Sequence, residues 1–458
     1  MKKDFYIVSD EDSSVIFHKP TGMLAMLPDG CIPESERDFE MLEKKLENVP
    51  RISGHVKRHF GEGKITLTYM SARICNMGCT YCFAGEGEYG GCCGKPALFT
   101  KEMYLKGFHK ALSYYPEGLD RIAFFGGEPL LNYPVIKEFV PEVIEYCTAN
   151  GLDIPEFTMT TNGSLINEEI AEFINRYDFR ITVSLDGGKD VNDSARCFKN
   201  SHRSAYEAAA EKCRLLESIG KKYTIQATLN RHHLKNYKVG DGVRWIKELE
   251  KLDFFNLSLI PAETDNSDLK ISTPEELIAL DSFTRELMNY FFDKIKRGDI
   301  TKLASVMLLP LIRIAKRQYI SDCSSGRSFM WDTDGSAYPC HMFCNEIEYR
   351  IGGMDEKFNE KKAEEHNSHD RCKSSVCSSC IAEKSCFVWC RGLQHFKNND
   401  LYEVCVPRCV FQRAITEKSI LFLAGLRRDK EASVEFWKNY NDYQDSLRET
   451  FSRIAVSH

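Results

Sequence analysis

The sequence predicts an α/β fold: a partial (β/α)6 TIM-like barrel, followed by a loop-rich, cysteine-dense region and a C-terminal helix. Three observations carry this. From about residue 64, short apolar runs alternate six times with helical stretches, in units of roughly 30–40 residues, the pattern of a parallel sheet with helices outside. Polar and glycine-rich residues fall at the carboxyl ends of the strands, the edge where barrels place their chemistry. Ten of the 19 cysteines then crowd between Cys323 and Cys409.

Taken in order, the first strand, KITLTYMSA, runs into a cysteine loop. The helix KEMYLKGFHKALSYYP follows, with Leu105, Phe108, Leu112 and Tyr115 expected on its buried face and Pro116 ending it. Strand RIAFFGGEP leads to a helix through Val143 and Cys147 that Gly151 closes. Next come EFTMTTNG, a helix from Asn167, RITVSLDG, the helix SAYEAAAEKCRLLESIG, YTIQATLN, the helix GVRWIKELEKL and a sixth strand, FFNLSLIPA. Six units are too few to close a barrel, so an open side is expected. Two long helices follow, and the tail from about Phe411 to Ile454 is helical and charged. Residues 1–63 hold a hairpin, FYIVSDEDSSVIFHKP, and a charged helix. The divisions expected are 1–63, the barrel at 64–300, a bridging helix at 301–320, the cysteine-dense region at 321–412 and the tail at 413–458.

Composition narrows the function classes. Hydrophobic content of 43% and charged content of 28% suit a globular protein with ample core. A formal charge of −6 argues against a general nucleic-acid binder. No apolar run reaches the roughly 18–20 residues that span a bilayer, and the N-terminus lacks a signal-peptide core. A cytoplasmic protein is expected, and there abundant cysteine points to metal ligation or redox chemistry rather than disulfides.

Cys75, Cys79 and Cys82 lie within eight residues, in ARICNMGCTYCFAGEGEYGG. Two such thiols could be a redox pair and four could enclose zinc. Thiolates suit iron–sulfur clusters, and three on a four-iron cube leave one iron open. CNMGCTYC together with GGEP at Gly126–Pro129 resembles the radical S-adenosylmethionine superfamily. That resemblance implies a [4Fe–4S] cluster whose open iron chelates S-adenosylmethionine, and a 5′-deoxyadenosyl radical that abstracts hydrogen from an unactivated carbon. It implies further that Gly126, Gly127 and Glu128 meet the methionine amino group, that Ser184 lies near the ribose and that Arg196 pairs with the cofactor carboxylate. Tyr81, Thr161 and Asn162 join this cofactor-binding set.

The second constellation is Cys323, Cys340 with Gly335 five positions before it, then Cys377, Cys380, Cys386 and Cys390, and finally Cys405 and Cys409. Spacing alone leaves structural zinc open. The series resembles the SPASM extension, which implies two auxiliary [4Fe–4S] clusters. Cys323, Cys340 and Cys390 would serve the first. Cys377, Cys380, Cys386 and Cys405 would serve the second, with Cys409 competing for the last place. Some relatives carry another cysteine where this chain has Phe329, so the first site would either keep an open iron able to hold a substrate thiolate or recruit Cys344, Cys372 or Cys409. Cys31, Cys92, Cys93, Cys147, Cys197 and Cys213 are expected to be small buried or incidental residues.

The resemblance implies a maturase acting on a ribosomally made precursor peptide, with a small electron donor such as flavodoxin or ferredoxin. Thioether crosslinking of a cysteine sulfur to carbon is the leading reaction, with formylglycine formation or carbon–carbon crosslinking as alternatives. A non-catalytic iron–sulfur or zinc redox sensor is the contrasting class. The N-terminal region would be either a peptide-recognition module or a structural cap.

Overall fold

In the computed structural model of the chain, which describes residues 4–11, 13–28, 31–53, 59–85, 89, 94–319, 328–367 and 371–450, the N-terminal hairpin gains a third strand. β1 (Phe5–Ser9), β2 (Ser14–His18) and β3 (Met23–Leu27) form an antiparallel sheet in that order, and α1 (Glu36–Leu46) follows. Ser35 and Asp38 start α1 with a reciprocal capping box.

The six barrel units run as the alternation predicts. They are β4 (Ile65–Ala72), α2 (Lys101–Tyr114), β5 (Leu119–Gly126), α3 (Tyr133–Ala149), β6 (Glu156–Thr161), α4 (Glu168–Arg176) and β7 (Arg180–Ser184). After α5 (Lys189–Asp193) and α6 (Ala205–Ser218) come β8 (Tyr223–Leu229), α7 (Arg231–Leu234), α8 (Asp241–Leu249) and β9 (Asn256–Pro261). Each strand from β4 to β9 pairs parallel with the next. Along β8, Tyr223, Ile225, Ala227 and Leu229 are buried while Thr224, Gln226 and Thr228 between them are half-buried. Gln226 and Thr228 line a cavity in the barrel mouth, so the period-two pattern puts apolar packing on one face and a polar lining on the other.

The chain continues through α9 (Pro274–Lys296) and α10 (Ser305–Ala315), then β10 (Ser328–Trp331), β11 (Ser336–Tyr338) and β12 (Gly352–Gly353). β10 pairs parallel with β4, so the first described strand of the cysteine-dense region extends the barrel sheet. The full row is β12-β11-β10-β4-β5-β6-β7-β8-β9, an open sheet with β12 and β9 at its edges. This junction changes the buried face of α2. Tyr104, Gly107, Phe108 and Ala111 are buried, whereas Leu105 and Leu112 are only partly so. The cause is Trp331 of β10, whose indole N–H donates to the Gly107 carbonyl at 3.1 Å and packs where a larger residue would stand.

Four short or medium helices, α11 (Glu360–Asn367), α12 (Ser375–Ser378), α13 (Arg391–Asn398) and α14 (Val406–Leu426), precede the terminal α15 (Lys430–Thr450). The N-terminal sheet docks here. Tyr6 donates to the Ser379 carbonyl at 2.7 Å, and Lys19 meets the buried Glu383 carboxylate at 2.8 Å. No helix among the described residues is long and apolar enough to cross a membrane.

Candidate radical and iron–sulfur sites

β4 ends at Ala72, and the chain turns through Cys75, Cys79 and Cys82 at the carboxyl edge of the sheet. Backbone bonds pin this turn from two sides. Gly78 and Thr80 donate to the carbonyls of Cys197 and Ala195, at 2.8 and 2.9 Å, while Gly127 and Glu128 donate to those of Ala72 and Ile74, at 2.8 and 2.9 Å. The Asn162 side chain bonds Asn76 at 2.8 Å and lies 3.9 Å from the Cys75 sulfur. The glycines of GGEP therefore have a structural task. A Cβ on Gly126 or Gly127 would collide with the carbonyl oxygen of Ala72 or Ile74, and Gly126 has a φ of 140°.

A cavity of about 230 Å³ opens above the turn. Cys75, Cys79, Cys82, Tyr81, Gly126, Gly127, Thr161, Asn162, Ser184 and Arg196 all line it. Glu128 does not. Its fully buried carboxylate accepts from Leu130 N (3.0 Å), Thr161 Oγ1 (2.7 Å) and Asn162 N (2.8 Å), bracing β5 against β6. Burial pushes this carboxyl up to about 7 in spite of those bonds. Burial also lifts the Cys75 and Cys79 thiols, to about 11 and about 12. Bound to a metal centre, they would serve as thiolates.

Arg196 is placed by a residue that the motif reading missed. Its Nε lies 3.2 Å from Asp186 Oδ2, which also accepts from the Tyr81 hydroxyl at 2.6 Å, and the guanidinium sits over the Tyr81 ring at 5.5 Å. Burial disfavours the guanidinium charge, but Asp186 more than offsets this and keeps Arg196 charged. Asp186 is itself held by Thr228 N at 3.0 Å. It stands in the RITVSLDG segment, two residues beyond Ser184. Gln226, Glu263, Leu393 and Arg408 also line the cavity. Gln226 was legible in the alternation of YTIQATL, while the last three come from outside any motif of the barrel.

Cys377, Cys380, Cys386, Cys405 and Cys409 line a second cavity, of about 450 Å³, which Tyr6 of β1 helps to enclose. Cys340 follows β11, and Met342, two residues on, packs against Gly392, two residues after Cys390, at the start of α13. Cys340 and Cys390 thus share one neighbourhood. Cys323, Cys92 and Cys93 lie outside the described residues. Phe329, at the gap in the family pattern, is buried beside Trp331 (5.4 Å between rings) and Phe358 (5.2 Å). Cys344 is buried against Met330, with 3.5 Å between sulfurs, and Cys372 lies 3.4 Å from Glu383. Cys147 and Cys213 are buried on helix faces, as expected; Cys31 and Cys197 are exposed.

The thiols fit clusters better than single zinc ions. A tetrahedral zinc with Zn–S of about 2.3 Å brings its sulfurs to about 3.8 Å of each other. Among the described residues, no three cysteine sulfurs lie within 4.8 Å of one another.

A family model described as the radical SAM superfamily matches residues 69–237, the stretch that holds the three-cysteine turn, GGEP, Ser184 and Arg196. The chain carries a radical SAM domain. Such domains use a [4Fe–4S] cluster and S-adenosylmethionine, and the C-terminal cysteines fit auxiliary clusters. Among curated proteins, the chain is 27% identical over 393 residues to a cysteine-type anaerobic sulfatase-maturating enzyme of Clostridium novyi (strain NT), covering 83% of this chain and 92% of that one. Among solved structures, anSMEcpe with bound AdoMet superposes with a TM-score of 0.64 at 18% identity, over 79% of this chain and 98% of that one. Streptococcus suis SuiB bound to precursor peptide SuiA superposes with a TM-score of 0.52 at 15% identity, over 87% and 97%. These two likenesses support the radical SAM fold and its continuation into the cysteine-rich region.

Arg196→Ala is expected to weaken S-adenosylmethionine binding by about 10- to 100-fold, the value of a charge-assisted bond, with iron content unchanged. Calorimetry on the reconstituted protein would measure this. Unchanged affinity would show that Arg196 serves only Asp186 and Tyr81.

Proposed function

We propose that this radical SAM protein modifies a peptide or protein substrate, abstracting hydrogen from a residue that enters the barrel mouth beside the cofactor. The observation that carries this reading is the double wall of the radical cavity. One side is the cysteine turn and the strand ends; the other includes Leu393 and Arg408 from the cysteine-rich region, with Glu263 after β9. Bound at the turn, the cluster and S-adenosylmethionine supply the hydrogen-abstracting radical. Tyr81, Asp186 and Arg196 would orient the cofactor, Gly126 and Gly127 let it approach the backbone, and Asn162 steadies Cys75.

The near full-length likeness to sulfatase-maturating enzymes supports oxidation of a peptidyl cysteine or serine to formylglycine. The thioether reading is supported by Phe329: with that position committed to the core, the first auxiliary site has fewer protein thiols, and a substrate thiolate could complete it. Mass spectrometry separates the two after incubation of the reconstituted, reduced protein with cysteine-containing candidates, both sulfatase-derived peptides and small neighbouring gene products. A cysteine that loses its sulfur indicates formylglycine, and a product that loses two hydrogens, keeps its sulfur and has no alkylatable thiol after reduction indicates a thioether. Cofactor cleavage that no peptide of either kind stimulates would count against a peptide substrate.

A further inference from the structure

Ser378 and Ser379 separate Cys377 from Cys380, and the carbonyls of both serines are capped from the far end of the chain. α12 is a four-residue helix that ends at Ser378, and a helix end leaves its last carbonyls without partners of its own. Lys19, just after β2, donates from Nζ to the Ser378 carbonyl at 2.5 Å, and the Tyr6 hydroxyl of β1 donates to the Ser379 carbonyl at 2.7 Å. A cation is the favoured group at a helix C-terminus. The turn that these bonds hold runs on into Cys380, whose sulfur accepts from Ala382 N at 3.4 Å.

Lys19 is only 4% exposed, and lysine is almost never buried so fully without a paired charge. Its partner is Glu383, 2.8 Å away and 8% exposed, which lines the cysteine cavity together with Tyr6. Glu383 also meets Lys384 at 2.8 Å and Cys372 at 3.4 Å. Docking the N-terminal sheet does not call for this pair. The three strands lie against α14, with Val8, Val15, Phe17 and Leu24 in the main core, and a buried ion pair adds little stability over apolar packing. Its position gives it another use. A cluster gains negative charge on reduction, and its potential follows the charges and hydrogen bonds around it. The low dielectric of a buried site strengthens that influence: a cation favours the reduced form, and a carboxylate opposes it.

We infer that the N-terminal sheet is a working part of the cysteine cavity: Lys19 is a positioning residue that holds the Cys377–Cys380 turn, and the Lys19–Glu383 pair sets the reduction potential of the cluster bound there. The inference rests on the cluster reading of that cavity and does not depend on which peptide is modified. It gives the N-terminal sheet a task in the redox chemistry, separate from peptide recognition.

The test uses anaerobically reconstituted full-length protein, with iron and zinc per chain and a redox titration followed by electron paramagnetic resonance as readouts. The radical cluster is identified by its response to added S-adenosylmethionine, which leaves the auxiliary signals. Lys19→Met is expected to lower the potential of one auxiliary cluster and Glu383→Gln to raise it, both with wild-type iron. Lys19→Arg keeps the charge and should stay closer to the wild type than Lys19→Met. A mere docking contact would change stability without moving a potential in opposite directions in the two variants. Shifts of the same sign in Lys19→Met and Glu383→Gln overturn the inference, and so do auxiliary potentials that neither variant moves. Should Lys19→Met fail to fold by circular dichroism, or lose the cluster, the Glu383→Gln shift decides: a rise supports the inference, and a fall or no change overturns it. Zinc in the wild-type protein, with iron for the radical cluster alone, would overturn the cluster reading and the inference with it, a result visible before any variant is made.

Discussion

Replacing Cys75, Cys79 and Cys82 together by alanine is expected to remove one cluster, about four irons, and all cleavage of S-adenosylmethionine. The fold should survive. The turn is held by backbone bonds from Gly78, Thr80, Gly127 and Glu128, and none of these uses a thiol. The three sulfurs line the radical cavity, so the substitution is expected to remove ligands at little cost in packing. The variant should therefore show a wild-type circular dichroism spectrum, retain the iron of the C-terminal cysteines and form no 5′-deoxyadenosine. Residual 5′-deoxyadenosine would place the radical chemistry at another cluster.

Much of this site could be read from the chain because its parts are local. Three thiols on one short turn, a GGEP after the second strand and polar residues at alternate strand positions are all set by near neighbours. Contacts between distant segments were not legible. β10 joins β4 across more than 250 residues, and no cysteine spacing announces that pairing, which buries Phe329 and turns the apolar face of α2 toward Trp331. The same junction buries an ion pair. Arg73, two residues before Cys75, and Asp332, after β10, are both fully buried and 2.6 Å apart, with Lys95 also 2.6 Å from Asp332. Removing one partner from such a pair costs about 3–5 kcal/mol, so the cysteine turn is fastened to the C-terminal region. Asp186 shows a subtler limit. It was visible in sequence, but only the fold reveals that Tyr81 and Arg196 meet on one of its oxygens.

Gly127→Ala is expected to abolish activity through geometry alone. Gly126 has a positive φ, so alanine there would add backbone strain to a clash. Gly127 has none, and its substitution isolates the steric effect. The new methyl would overlap the Ile74 carbonyl and stand 3.1 Å from the Cys75 nitrogen. These are backbone atoms of the cysteine turn, which cannot swing aside as the tip of a flexible side chain could. Relief requires the turn to move away from β5, stretching the Gly127–Ala72 and Glu128–Ile74 bonds, each worth about 1 kcal/mol. A displacement near 1 Å between cofactor and reacting carbon can cost about 100-fold in rate, and here the ligand loop itself is displaced. Cofactor cleavage should fall by at least about that factor, with poorer reconstitution of the first cluster and a lowered melting temperature. Gly188→Ala is the control, since its methyl would meet only the Glu248 Cβ, at 3.9 Å, and should leave cleavage and iron content alone. Full cleavage by Gly127→Ala would mean that the turn tolerates displacement, and that neither the loop nor the cofactor needs a glycine at 127.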